Sequence, residues 1–193
     1  MPIAHEHEIV SARRVLFYGV TGSGKSTLAR EFAQLRHYPL CLVDEQIGFV
    51  PASEAVWQNR DENEMRALAD QFTQLPEWVC DSAWGKFKDV IFSRADLLVA
   101  LDYPRYVSLW RLTKRSIKRV IRREHVCNGN IETWRRLFNS ESIIRWHFLS
   151  FSRKRQWMRE QENRSTGIPV VRLTSPSAAE AFLAAVRVSV TDR

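Results

Sequence analysis

Cysteine is nearly absent. Three stand in 193 residues, Cys41, Cys80 and Cys127, odd in number and far apart. That excludes a disulfide framework and the paired spacing of a zinc site, and it predicts a protein of the reducing cytoplasm. Cys41 and Cys80 fall in apolar, strand-like runs and are expected in the core. No apolar run approaches the roughly 20 residues of a membrane-spanning helix, so no membrane partner is expected. The opening Met1-Pro2-Ile3-Ala4-His5-Glu6-His7-Glu8 has no apolar core of the secretory-signal kind. His5 and His7, alternating with acids, read as a frayed end rather than a metal site. No repeat, low-complexity segment or Gly/Ser linker divides the chain, and its length suits one domain, 1–193. Glycine is scarce too, with seven residues, yet three of them share one stretch of eight.

That stretch is Gly19-Val20-Thr21-Gly22-Ser23-Gly24-Lys25-Ser26, followed by Thr27. It reads G-x-x-x-x-G-K-S, a phosphate-binding loop (P-loop). Glycines let the backbone curl into a nest of N–H donors around phosphate oxygens. Lys25 supplies charge for the β- and γ-phosphates, Ser26 offers a hydroxyl to Mg²⁺, and the next helix points its positive dipole end at the same anion. The flanks agree, with an apolar strand over 14–18 and helical apolar spacing over 27–35. Gly19, Thr21, Gly22, Ser23, Gly24, Lys25, Ser26 and Thr27 are therefore expected to hold a nucleoside triphosphate.

Five short, mostly apolar strands are predicted over 14–18, 40–44, 78–81, 97–102 and 170–173, as befits parallel strands covered on both faces. Helices are expected over 61–75, 87–94, 104–123, 131–138, 141–161 and 177–188. This is an α/β doubly wound five-stranded parallel sheet of the P-loop NTPase type. Strands two, three and four end in Asp44, Asp81 and Asp102. Ligands bind at the carboxyl ends of such strands, so all three are expected on the loop side. Asp81 is expected to coordinate Mg²⁺ through water. Asp44 is a candidate base or acceptor-binding carboxylate, with Glu45 as the weaker alternative. Asp102 is read as starting the next helix. Ser175, just past the last strand, is placed in the nucleotide site, and it or Ser177 suits a helix cap.

Residues 105–159 hold fifteen Lys/Arg against three Glu, a balance of +12, while the whole chain carries +7. Such a basic half implies a polyanionic partner. Trp134, Trp146 and Trp157 within it are expected to pack in the core rather than to stack on bases.

The P-loop, Asp44, Trp78-Val79-Cys80-Asp81, and Asp102-Tyr103-Pro104-Arg105 followed by Leu109-Trp110-Arg111 resemble the bacterial topology modulation proteins, P-loop kinase-like relatives of adenylate kinase. The resemblance covers about residues 13–176. It implies a nucleoside monophosphate kinase-like fold with an acceptor-site insertion over 45–77 and a helical lid over about 119–145. Arg111 and Arg115 stand where adenylate kinases carry an Arg that stacks on the adenine and an Arg that meets transferring phosphates. Four residues apart on a helix, the two share one face. Arg135 and Arg136 lie where related kinases place lid arginines, and Arg135 is taken as catalytic with Lys25, Asp44 and Arg115. Arg119, Arg122, Arg123 and Arg145 lie in or around the same lid. Asp81-Ser82-Ala83-Trp84-Gly85-Lys86 departs from the D-G-F-P-R of adenylate kinases and the D-G-N-Y of topology modulation proteins, so Lys86 or Arg94 is expected to replace the missing acceptor grip. Trp57, Arg60 and Arg66 are possible acceptor-site linings. These features imply ATP- and Mg²⁺-dependent phosphoryl transfer to a small-molecule acceptor, first of all a nucleotide or nucleoside. A nucleic-acid-binding P-loop ATPase is the alternative, less favoured because no helix-turn-helix or zinc signature stands out.

Overall fold

The computed structural model describes residues 4–191. Five parallel strands form one sheet: β1 (Arg14–Gly19), β2 (Leu40–Cys41), β3 (Trp78–Cys80), β4 (Leu97–Leu101) and a last strand, β7 (Val170–Leu173), in the order β2-β3-β1-β4-β7. A separate antiparallel pair, β5 (His125–Val126) and β6 (Asn130–Ile131), forms a small hairpin. The helices are α1 (Glu6–Ser11), α2 (Lys25–Arg36), α3 (Glu62–Thr73), α4 (Lys88–Arg94), α5 (Arg105–Arg122), α6 (Trp134–Phe138), α7 (Ile143–Glu162) and α8 (Pro176–Thr191). The expected doubly wound α/β sheet is the observed one.

β1 lies at the centre, and its alternation sorts side chains between two cores. Val15 and Phe17 face α2 and α8 with Phe32, Phe182 and Leu183. Leu16 and Tyr18 face α3, α4 and α7 with Met65, Ile91 and Met158. Cys41 and Cys80 are buried, side by side in register on β2 and β3. Caps set several helix starts. The Asp61 carboxylate accepts from the Glu64 N–H at 2.9 Å, Ser142 Oγ from Ile144 N at 3.2 Å, and Ser175 Oγ from Ala178 N at 3.1 Å. Pro176 takes the first position of α8, where a missing N–H costs nothing.

Four expectations need correction. The second strand ends at Cys41, and Asp44–Gly48 forms a π-helical turn instead. The helix expected over 131–138 begins at Trp134, because Asn130 and Ile131 pair in the hairpin and Thr133 caps the helix. The N-terminal segment is helical rather than frayed. Ala4 N donates to Val170 O on the edge strand at 2.9 Å, and His5 N donates to the Glu8 carboxylate at 2.7 Å. Trp134 and Trp146 are half exposed, at 49% and 45%. The buried face of α7 carries His147, Ser150, Phe151 and Met158, and Trp146 falls just off it. Trp157 does pack, 4.6 Å from the Tyr18 ring and 5.4 Å from Phe92. Among the described residues, no helix is long and apolar enough to cross a membrane.

Candidate active site

β1 runs straight into the P-loop, and α2 starts at Lys25. Gly22 and Gly24 have φ of +84° and +94°, the left-handed region that glycine enters without strain. At Gly22 a side chain is also barred by space, since a Cβ would lie 2.3 Å from Ser108 O on α5. The residue at the cap position of α2 is Gly24, which has no side chain to satisfy the first N–H groups of the helix. Ser23 Oγ is buried without a partner. The Ser23 N–H donates to Val20 O at 3.2 Å, which leaves the Ser23 hydroxyl as a buried group free for a ligand.

Helices α5 and α7 brace this loop. Arg111 Nη1 lies 3.4 Å from Ser23 O, with its guanidinium 5.7 Å from the Tyr103 ring. His147, fully buried, bonds through Nδ1 to Thr21 O at 3.0 Å. A carbonyl only accepts, so Nδ1 carries the proton, and Nε2 is left buried without a partner. Burial lowers the His147 pKa.

Asp81 follows β3 and is buried. One of its oxygens accepts from Val43 N at 2.9 Å. Burial pushes its pKa up, Lys25 and the Ser26 hydroxyl draw it back, and Asp44 adds to the rise. A buried carboxylate beside the P-loop lysine and serine is short of positive charge, as a Mg²⁺ ligand should be. Mg²⁺ is commonly held by one or two carboxylates plus substrate phosphates. The donor-rich loop and the Ser26–Asp81 pair therefore fit a Mg²⁺-bound triphosphate. Among the described residues, no group of three His, Cys, Asp or Glu makes an independent metal cage.

Asp44 stands on the π-turn, exposed, with Oδ1 accepting from Trp84 Nε1 at 3.1 Å. Across from it is Arg115. Burial, followed by Arg119, lowers the pKa of Arg115, while Glu132 and Asp44 raise it. Arg115 forms no ion pair among the described residues, and its Nε is buried without a partner. Lysine 154 of α7 was not anticipated. Its pKa is lowered to about 7 by burial first, then by Lys25, with Asp44 opposing and Arg153 and Lys88 adding to the fall. Lys25, Asp44, Asp81, Arg115 and Lys154 thus surround one space at the carboxyl ends of β1 and β3.

The segments around Glu45–Trp57 and Cys127–Ile131 are bonded to one another. Glu45 accepts from the backbone N–H groups of Cys127 (2.9 Å) and Asn128, in a turn where Cys127, Asn128 and Gly129 all have positive φ. Ala52 N donates to Asn128 O at 2.9 Å, and Trp57 donates to Asn130 Oδ1 and, through Nε1, to Ile131 O at 3.3 Å. Phe49 bridges the Trp57 and Trp84 rings at 5.7 and 5.4 Å. Arg136 covers the Trp57 ring at 4.1 Å. Gly48 lets these rings sit close, because a Cβ there would be 2.5 Å from the Trp84 ring.

Several expected residues lie elsewhere. Asp102 neither caps α5 nor faces the loop. The cap position is Pro104, and the buried Asp102 carboxylate pairs with Arg155, Arg159 (3.0 Å) and Arg172 (3.1 Å). Arg94, expected as an acceptor grip, is held by Asp70 and Thr73 (both 2.7 Å), and Arg66, expected as a lining residue, by Asp89 (2.7 Å). Lys86 is exposed, with its carbonyl accepting from Arg66. Arg60 pairs with Glu64. Arg119 pairs with Glu132 at 3.2 Å, and Arg135 is exposed at the start of α6. Ser175 Oγ is occupied as the α8 cap. An apolar hollow of about 420 Å³ lined by Leu137, Phe138, Phe148 and Leu149 contains none of the residues around Lys25.

No protein-family model and no curated protein matches the chain. Solved structures do match. A shikimate kinase from Acinetobacter baumannii in complex with shikimate is 13% identical, with 98% of this chain and 99% of that one covered at a TM-score of 0.55. A shikimate kinase from Bacteroides thetaiotaomicron is 14% identical over 90% and 96%, at 0.54. A deoxyadenosine kinase from M. mycoides is 12% identical over 92% and 98%, at 0.50. The fold is that of the P-loop kinases.

Proposed function

We propose that this chain is a P-loop phosphotransferase. It moves the terminal phosphoryl group of ATP, in the presence of Mg²⁺, to the hydroxyl or phosphate of a small-molecule acceptor. The observation that carries the reading is that Lys25, Ser26 and Asp44 all act on the buried Asp81, and that Asp44 acts in turn on Arg115. The kinase fold of the solved relatives supports the same class. A nucleotide or nucleoside is the acceptor favoured by the resemblance to topology modulation proteins.

The chain's groups divide the work. The P-loop amides and Lys25 orient the triphosphate, and Arg111, braced on the loop, lies beside the base. Ser26 and Asp81 would hold Mg²⁺, which would supply charge neutralisation for the triphosphate. Arg115 answers the charge that spreads over the transferring phosphoryl group. The acceptor oxygen forms a bond to the γ-phosphorus, the bond to the bridging oxygen breaks, and ADP leaves. Trp84 occupies Asp44 Oδ1, which leaves Oδ2 to orient an acceptor hydroxyl and take its proton.

The test is acceptor-dependent ADP release across nucleotides, nucleosides and small alcohols. Lys25→Ala is expected to lower turnover by roughly 10²-fold or more, the scale of removing one electrostatic stabiliser. Asp44→Asn is expected to lower the acceptor-dependent rate more than it weakens ATP binding. Unchanged turnover in a folded Lys25→Ala protein rules the reading out. A nucleic-acid-binding ATPase is the second reading. It is supported by α5, which carries eight Lys/Arg and no acid over 105–123 and exposes Tyr106 and Trp110. DNA-stimulated hydrolysis at about 150 mM salt, where the screening length is about 8 Å, would reverse the order of the two.

A further inference from the structure

The end of β1 divides two cationic regions. On the α2 side lies the P-loop. On the α4 and α7 side, Tyr18 closes the strand with its ring beneath two lysines, Lys88 Nζ at 5.9 Å and Lys154 Nζ at 5.7 Å from the centroid. Lys88 also lies over the Trp157 ring at 4.1 Å. Arg153 acts electrostatically on Tyr18, Lys88 and Lys154 alike, so all four groups share one neighbourhood. No ion pair is made by Lys88, Arg153 or Lys154 among the described residues, whereas other arginines of α7 are neutralised by Asp102. Lys154 is half-buried, and burial lowers its pKa to about 7. A buried ammonium among like charges is unfavourable unless an anion joins it. The carboxylate acting on it, Asp44, already accepts from Trp84 and faces Arg115.

We infer that Lys88, Arg153 and Lys154, on a floor of Tyr18 and Trp157, form an oxyanion subsite for the phosphate acceptor, so that the acceptor carries a carboxylate or a phosphate ester. The inference rests on the kinase reading above and names the substrate class of that site. Lys25 and Asp44 both act electrostatically on Lys154, so the subsite adjoins the P-loop. An acceptor anchored there by its anion presents a hydroxyl toward Asp44 and the γ-phosphate. The subsite also takes over the grip that the Asp81–Lys86 segment lacks, since Arg94 is committed to Asp70.

The test is calorimetry in two stages. The protein is first saturated with a Mg²⁺-bound non-hydrolysable ATP analogue. It is then titrated with sulfate, standing for a phosphate ester, and with malonate, standing for a carboxylate. A second, saturable anion site is expected, and whichever probe binds more tightly identifies the acceptor's anion. Lys154→Gln and Lys88→Gln should each weaken that second binding about tenfold or more, the scale of a lost charge-assisted hydrogen bond, and Lys88→Gln should leave analogue binding as in the parent. Lys154→Arg should restore part of it. Lys88 stands on α4 rather than α7, so its variant tests the subsite even if Lys154→Gln fails to fold. Analogue binding that falls in Lys154→Gln as it does in Lys25→Ala would place Lys154 in the nucleotide site and overturn the inference. So would saturable anion binding that is unchanged in both Gln variants, or no second site in the parent. Failure of the analogue to bind the parent at all is a different result, and it counts against the kinase reading itself.

Discussion

Asp102→Asn tests whether the buried carboxylate fastens α7 to the sheet. The substitution preserves volume and removes one charge. Asp102 is 1% exposed, while Arg155, Arg159 and Arg172 are 32%, 48% and 26% exposed. Breaking a fully buried ion pair costs about 3–5 kcal/mol. Here the freed guanidiniums are partly solvated, and Arg172 keeps Glu162 at 2.6 Å, so the cost is discounted to about 2–3 kcal/mol. For a domain of this size each kcal/mol moves the melting temperature by about 2–4 °C, which gives a drop on the order of 5–10 °C. Urea unfolding and calorimetry of parent and variant measure it, with an unchanged m-value showing that only stability moved. A loss below about 0.5 kcal/mol, the size of an ordinary surface substitution, would refute the reasoning and reduce the three arginines to solvated charges.

Glu45→Ala removes both acceptors from the Cys127–Asn128 turn. Amide exchange at those two residues should speed up by about tenfold or more, the scale of lost charge-assisted bonds, and unchanged protection would mean that the turn holds itself. The Lys154 pKa of about 7 fixes the sign of a pH effect on anion binding. The groups facing it are Lys25, Lys88 and Arg153, which lower its pKa, and Asp44, which raises it. Above about pH 7 the free amine is neutral, and an oxyanion favours the charged form. Sulfate affinity should therefore fall by up to tenfold per pH unit above 7, with proton uptake approaching one per sulfate bound. Calorimetry in buffers of different ionisation enthalpy reads the uptake, and a flat profile from pH 6 to 9 would remove Lys154 from the site.

The local features were legible in the sequence. A P-loop is contiguous, so Gly19 to Ser26 announces strand, turn and helix together, and short apolar runs mark the five strands. What the sequence hid depends on which way a helix turns. Residues 153–155 of α7 read as three basic residues in a row. Only packing against β1 sends Lys154 toward Lys25 while Arg155 reaches Asp102. Arg66 and Arg94 looked like free cations because their partners, Asp89 and Asp70, lie more than twenty positions away in the chain. Asp102 followed a strand as Asp44 and Asp81 were expected to, and nothing in its local sequence marked it as buried under three arginines. The Glu45 latch was equally silent, since its donors are backbone groups of a turn about eighty residues downstream.

The most direct measurement is a product analysis. Parent protein, Mg²⁺ and ATP are incubated with a panel of hydroxyl-bearing carboxylates, phosphate esters and uncharged nucleosides, and phosphorus NMR follows every phosphoryl group. The account predicts that at least one anionic compound yields a new phosphorylated product in a one-to-one ratio with ADP, and that Lys25→Ala abolishes it. ADP that forms at the same rate without any acceptor, or only when DNA is present, would contradict it.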